Sequence, residues 1–429
     1  MSFPDDATPR ADVASKSRIA DPALAPEGRL AIGWAQRHSP VLSGLVRREL
    51  EDGAFRGQRV ALVVHLEAKT AFLATVLADA GARVVVAGSN PHSTRDDIAA
   101  ALVDMGIEVH SSRQSSYEVW EEDLLAVADS EPHYIIDDGA ELTVRMAKHR
   151  PELYRQLKGV SEETTTGVAR LKALHAADRL PFPAMAANDA ACKHMFDNRY
   201  GTGQSTIQAI LSLTNLLMAG KRVAIVGYGW VGRGIATYVR ALGGRAIVIE
   251  VDPIKALEAF MDGHEVAEPA VALPGADIVI TATGGMRAIG SRHFPWLKPN
   301  AVLANAGHHD LEIDVEALAE EADSYSGIRP GVTRFEWRGK PINVLSSGAL
   351  VNISGGLGHP IEIMDLSFAV QGLSSHELIV GDYPPGVHVL PRRLDEEIAR
   401  ARLLAEGISL DVVTDDQFDT IDEWLEVGS

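Results

Sequence analysis

The stretch "KRVAIVGYGWVGRGIATYVRALGGRAIVIEVDP", residues 221–253, constrains this chain more than any other. A short apolar run leads into Gly227, Gly229 and Gly232, spaced G-x-G-x-x-G at the mouth of a helix. Glycines there serve a tight turn, a close backbone approach to a pyrophosphate, and packing of helix on strand. The pyrophosphate rests on the helix N-terminus, here opened by Trp230 and Val231. Glu250 ends the next strand, where an acid accepts both ribose hydroxyls and repels a 2'-phosphate. NAD is therefore the expected cofactor, in preference to NADP.

The same alternation continues through "ADIVITATGG" to "AVLANAGHHD", and an earlier one starts at residue 59 with "RVALVV", "KTAFLATVLADAG", "ARVVVAG", "TRDDIAAALVDMG", "IEVH" and "PHYIID". Strands alternating with helical stretches of this length predict an α/β chain with two doubly wound parallel sheets. A length of 429 residues agrees with two or three domains.

A net charge of -19 argues against nucleic-acid and anionic-membrane partners. The first residues, "MSFPDDATPR", carry no signal pattern, and no apolar run approaches the roughly 18 residues of a membrane span. A cytoplasmic protein is expected. The single cysteine, Cys192, excludes an intrachain disulfide and a cysteine-cluster metal site, and no metal is expected.

Why should "RVALVV" run into "HLEAKTA", with His65, Glu67, Lys69 and Thr70 in quick succession? Open α/β sheets bind ligands beyond the carboxyl ends of their strands. The alternative is that these groups only open the next helix, with Glu67 favourable near its N-terminus. "GVSEETTTGV" poses the same choice: Glu163, Thr164, Thr165 and Thr166 either cap a helix or face a ligand. In "NDAACKHMFDNRYGTGQS", Lys193 and Asp197 share a face if helical, with Asn198 beside them, and a surface ion pair is the simpler explanation. With Asp138 in "IIDDGAEL", His308 in "NAGHHD" and His359 in "GLGHP", these groups amount to what a pocket for acid and base work needs.

Taken in order, "SEETTTGV", "NDAACKHMFDNRYG", "GYGWVGRG", "NAGHHDLEID" and "GVHVLPRRLDE" resemble the S-adenosylhomocysteine hydrolase family over residues 30–415. The resemblance implies a split substrate-binding domain, residues 1–190 and 361–405, around an inserted Rossmann NAD-binding domain, residues 205–357, with a short tail at 406–429. It implies a reaction in which the nucleoside 3'-hydroxyl is oxidised, the 4'-hydrogen is removed, the 5'-substituent is eliminated, water adds and the ketone is reduced. Carried over by motif, Glu163 and Asp197 hold the sugar hydroxyls and Lys193 is a base, which requires it to lose its proton near neutrality. His65, Asp138 and His308 work at the 5' end. Thr164, Thr165, Thr166, Asn198, Asn305 and Asn352 join the glycines and Glu250 around NAD. His359 and Met364 lie on the base side. A small-molecule adenine nucleoside is the implied partner, in a homo-oligomer, dimer or tetramer.

The sequence also departs from the family. Its His-Met-Thr-x-(Glu or Gln)-Thr motif puts Thr and Glu or Gln on the adenine edge, where this chain has Glu67 and Lys69. "HSSRQSSYEVW" replaces Trp-Lys-Gly-Glu-Thr, and Thr202 replaces a cysteine. The end, "EWLEVGS", lacks the family's Lys and Tyr tail, which predicts looser NAD retention or a changed oligomer. These departures lead to an expected dehydration of a modified adenine nucleoside, as an alkene-bearing antibiotic of the angustmycin type requires. Reversible hydrolysis of S-adenosyl-L-homocysteine is the alternative, and a catalytically silent NAD-binding regulator a second.

Overall fold

In the computed structural model, which describes residues 11–307 and 310–411, "RVALVV" forms β1 (Arg59–Val64), buried at all but its first position. It pairs in parallel with β2 (Arg83–Gly88) and β4 (Tyr134–Asp137). β3 (Glu108–Val109) continues the sheet beyond β2, and β5 (Gly159–Glu162) and β6 (Pro183–Met185) continue it beyond β4.

Five strands follow from the second alternation: β7 (Arg222–Val226), β8 (Arg245–Ile249), β9 (Glu265–Val266), β10 (Ile278–Thr281) and β11 (Ala301–Asn305). Beyond β11 come β12 (Ser324–Arg329), β13 (Val332–Trp337) and β14 (Lys340–Leu345); finally β15 (Gly386–His388) returns to pair with β6. The first sheet has the order β15-β6-β5-β4-β1-β2-β3, parallel throughout. The second has the order β12-β13-β14-β11-β10-β7-β8-β9. Its six parallel strands follow the dinucleotide-binding order, and the antiparallel pair β12–β13 extends one edge. The two doubly wound sheets match the expectation; the antiparallel extension was not foreseen.

The central parallel strands of each sheet are buried on both faces, which is why they read as unbroken apolar runs, whereas the edge strand β12 is exposed along its length. On one face of the first sheet Leu62, Phe72, Phe368 and Leu373 share a cluster; on the other, Ala61, Leu124, Leu142 and Phe182 do. In the second, Ile225, Ile235 and Ile280 lie on one face and Ala224, Phe294 and Trp337 on the other.

Each sheet also changes winding direction once, between β1 and β4 and between β7 and β10. The linking segment binds the two halves closely. A side-chain carbon on Gly234 would lie 1.9 Å from Arg199 O, and one on Gly203 would lie 2.7 Å from the Gly234 carbonyl carbon. Only glycine lets the helices Thr202–Thr214 and Trp230–Ala241 meet this way.

Candidate active site

One cleft of about 820 Å³ opens where the two switch points face each other. Every described site residue singled out in the sequence lines it, except Gly227, Gly232, Glu250 and Asn305, which stand behind the wall. His308 lies outside the described residues, as does the tail from residue 412.

At the end of β1, His65 Nε2 lies 3.4 Å from Asp138 Oδ2, across the gap to the end of β4. His65 Nδ1 meets Ser93 Oγ at 2.6 Å, and Asp138 Oδ2 accepts from Ser89 Oγ at 2.8 Å. Both serines follow β2, the neighbouring strand, and were missed, although "GSNPHS" is another polar strand end. Asp138 Oδ1 is buried without a hydrogen-bond partner, so this carboxylate has an oxygen left to offer.

Glu67 and Lys69 satisfy both readings of "HLEAKTA". Glu67 caps the helix Ala68–Asp79 by accepting from Lys69 N at 3.2 Å, and Thr70 Oγ1 donates to His65 O at 2.6 Å. Lys69 Nζ sits 3.0 Å from Glu67 Oε2 and donates to His359 O at 2.9 Å and Leu357 O at 3.2 Å. The result is a carboxylate–ammonium pair on the cleft wall.

The third group sits on the linking segment. Lys193, which immediately precedes a wide-turn helix over His194–Gly201, and Asp197 within that helix do come together, but they are buried and not a surface pair. Lys193 Nζ donates to Asn198 Oδ1 at 3.2 Å and lies 3.4 Å from Asp197 Oδ1 and 3.8 Å from Glu163 Oε1. The expected loss of the Lys193 proton is corrected here. Desolvation pulls its pKa down, but Asp197, Glu163 and Asp138 outweigh burial and hold it above the ordinary lysine value. Burial instead pushes the Glu163 carboxyl up to about 8, with Lys193 opposing and Asp197 adding. Asp197 is held below its ordinary value: desolvation opposes this, and Lys193, His359 and the Ser367 hydroxyl prevail.

Two positioning residues on the helix Ile361–Val380 were also missed. Gln371 Nε2 donates to Glu163 Oε2, and Ser367 Oγ donates to Asp197 Oδ2 at 2.9 Å. Their signal was faint: polar side chains inside an otherwise apolar helix. Beside them, His359 Nε2 lies 2.9 Å from Thr202 Oγ1, the residue that departs from the family cysteine, and burial lowers the His359 pKa. Met364 completes this side.

Thr164 is indeed a cap, accepting from Gly167 N at 3.1 Å, and it lines the cleft with Thr165 and Thr166. Across from them, a carbon on Gly227 would lie 2.6 Å from Ala282 O and one on Gly232 2.0 Å from Gly227 O, whereas one on Gly229 would meet open space. These are the three roles a pyrophosphate-binding turn assigns. The helix Trp230–Ala241 begins without a side-chain cap, and Asn352 Oδ1 is buried and unpartnered in the same wall. The residues therefore fit a dinucleotide. Glu250 supports this wall from behind, accepting from Tyr228 N at 2.7 Å and Val251 N at 2.6 Å. Asn305 accepts from Gly307 N at 2.8 Å, and Glu312, unnoticed in the sequence, accepts from Thr283 N at 2.9 Å and Gly284 N at 2.7 Å.

A dinucleotide turn on one wall and buried acid–base groups on the other define an NAD-dependent enzyme with a second α/β lobe. Family models described as "S-adenosyl-L-homocysteine hydrolase" and "S-adenosyl-L-homocysteine hydrolase, NAD binding domain" match residues 16–150 and 198–358. An "Adenosylhomocysteinase" of Thermococcus kodakarensis is 46% identical over 412 residues, 95% of this chain and 97% of its own. Another from Thermotoga maritima is 46% identical over 92% of this chain and 99% of its own. An "S-inosyl-L-homocysteine hydrolase" of Methanopyrus kandleri is 45% identical over 95% of this chain and 97% of its own. The chain belongs to the S-adenosyl-L-homocysteine hydrolase family, and its cofactor is NAD. No helix among the described residues is long and apolar enough to cross a membrane.

Proposed function

We propose that this enzyme reversibly hydrolyses an S-nucleosyl-L-homocysteine to a purine nucleoside and homocysteine. The observation that carries the reading is the pairing, in one cleft, of the buried Lys193–Glu163–Asp197 cluster with the His65–Asp138 pair. Bound NAD supplies a hydride acceptor for the sugar and later a hydride donor. The protein does the rest. Asp197 accepts a hydrogen bond from one sugar hydroxyl, which spreads its charge and weakens the hold on the Lys193 proton, and Glu163 shares a hydrogen bond with the other. Lys193 then takes the proton of the 3' oxygen and, once that carbon is a ketone, the 4'-hydrogen whose loss expels the 5' sulfur; it returns both after water has added, and Glu163, poised near neutrality, shares that traffic. At the 5' end, His65 and Asp138 protonate the departing sulfur and take a proton from the entering water. Thr164–Thr166, Asn198, Asn352 and the Gly227–Gly232 turn hold NAD. The division into residues 1–190 with 361–405 and residues 205–357 is supported by which strands share a sheet.

The base end favours a 6-oxopurine. At the two family positions that read adenine, this chain replaces a hydroxyl by the acceptor Glu67 and an acceptor by the donor Lys69, which would exchange its contact with Glu67 Oε2 for one with the base. Hypoxanthine reverses the same two groups: N1 becomes a donor and the 6-substituent an acceptor. The relative named for S-inosyl-L-homocysteine agrees. Adenine is the second reading, supported by two relatives named adenosylhomocysteinase. Dehydration has no such support among these relatives.

The test mixes NAD-loaded protein with S-inosyl-L-homocysteine, S-adenosyl-L-homocysteine and a psicofuranosyl adenine nucleoside, following products by mass spectrometry. Homocysteine release, faster from the inosyl substrate, is expected, and Glu67→Thr with Lys69→Glu should shift the preference toward adenosyl by about tenfold. Water loss from the psicofuranosyl nucleoside without homocysteine release from either thioether would replace hydrolysis by dehydration.

A further inference from the structure

The cleft does not end at His65 and Asp138. Past the 5' end its wall continues along the loop after β2 to Arg95, Asp96, Asp97, Arg113 and Glu27. That loop is anchored at both ends. Ser93 Oγ meets His65 Nδ1 at 2.6 Å, while Thr94 Oγ1 meets Ser111 Oγ at 2.9 Å and Asp96 Oδ1 accepts from Arg113 N at 2.9 Å. Gln114 N donates to Pro91 O at 3.0 Å, with Gln114 in the left-handed region at φ 58°.

Arg113 is thus pinned through its backbone, yet its guanidinium has no hydrogen bond or ion pair among the described residues. The contrast is Arg95, whose fork is taken by Asp97. Glu27 reaches the same rim on the helix Ala25–Arg37, where a carbon on Gly28 would lie 1.9 Å from Asp97 O. That contact sets Glu27 beside the start of the helix Asp96–Asp104, and its carboxylate also has no partner among the described residues.

An unengaged guanidinium and an unengaged carboxylate on one rim, just beyond an acid–base pair, match a zwitterion. Resting on the hydrolase reading, we propose that Arg113 binds the α-carboxylate of the homocysteine half of the substrate and that Glu27 receives its α-ammonium. The planar guanidinium fork fits a carboxylate in two-point contact. Arg113 stands in "HSSRQSSYEVW", where this chain leaves the family pattern. Because the amino-acid end is held alike before and during reaction, the effect falls on KM and not on kcat.

The experiment runs the reaction toward thioether synthesis, with inosine or adenosine and one of three thiols: homocysteine, 3-aminopropane-1-thiol, which lacks the carboxylate, and 4-mercaptobutanoate, which lacks the ammonium. Arg113→Ala should raise KM about tenfold for homocysteine and 4-mercaptobutanoate and leave 3-aminopropane-1-thiol alone. Arg113→Lys should recover part of the loss. Glu27→Gln should show the opposite split. Bound NADH formed from nucleoside alone reports that each variant is folded. Equal changes for all three thiols, or none, would overturn the assignment while the hydrolase reading stands. A wild-type protein that joins no thiol to nucleoside overturns both.

Discussion

The two walls of the cleft are made of different material. On the NAD side, recognition comes from backbone at glycine turns, and the acids there, Glu250 and Glu312, have oxygens occupied by loop amides. On the substrate side the wall carries the buried ionisable side chains Asp138, Glu163, Lys193 and Asp197, with Asp137 and Glu162 buried behind it. Hydrogen-bond saturation sorts these into two kinds. Asp137 accepts from Leu142 N, Thr143 N and Thr143 Oγ1, and Glu162 from Gly139 N, Ala140 N and Thr164 N. They hold loops in place. Asp138, with a free oxygen, and Lys193, facing the cleft, retain capacity for a ligand. On the proposed reading one wall holds NAD and the other moves protons.

The division is broken most sharply by removing a proton carrier without touching the NAD wall. Lys193→Ala should lower nucleoside-driven formation of bound NADH on the order of a thousandfold, with NAD content near that of the wild type. A parallel loss of NAD would mean that the two walls are not separate in function.

A smaller effect sharpens the electrostatic side. The Glu163 carboxyl is pushed from 4.5 up to about 8 by burial, with Asp197 and Asp138 adding to the shift and Lys193 and the Gln371 amide opposing it. The folded state therefore keeps a proton that the unfolded chain has released. That stability is full below 4.5 and is lost as pH rises through about 8. Thermal midpoints of the wild type should fall over that window, and Glu163→Gln should flatten the upper part of the slope. An unchanged slope would mean that Glu163 is ionised in the fold.

The same contrast decides what was legible in the sequence. The NAD wall is local: Gly227, Gly229, Gly232 and Glu250 lie within one strand–helix–strand unit, so spacing reveals it. The parallel sheets were equally legible, because buried strands are written as apolar runs. Individual site residues such as His65 and Lys193 stood out as polar groups at strand ends and in linking segments. Their chemical states did not. The Lys193 proton depends on Glu163 and Asp138, which arrive from two other strand ends, and Glu163 depends on Gln371 from a helix far along the chain. Ser89, Ser93, Ser367 and Glu312 act through contacts that no local pattern encodes. The hairpin edge β12–β13 was missed because it lies outside the repeating alternation.

The most direct test of the proton-moving wall is hydrogen exchange at the sugar. NAD-loaded protein would be incubated with inosine, and separately with adenosine, in deuterium oxide without any thiol, and deuterium at the 4' carbon read by mass spectrometry. Incorporation at the 4' position is predicted, retained in Asp138→Asn, whose defect falls at the 5' end, and lost in Lys193→Ala. A wild-type enzyme that binds nucleoside yet leaves the 4'-hydrogen unexchanged would contradict the account.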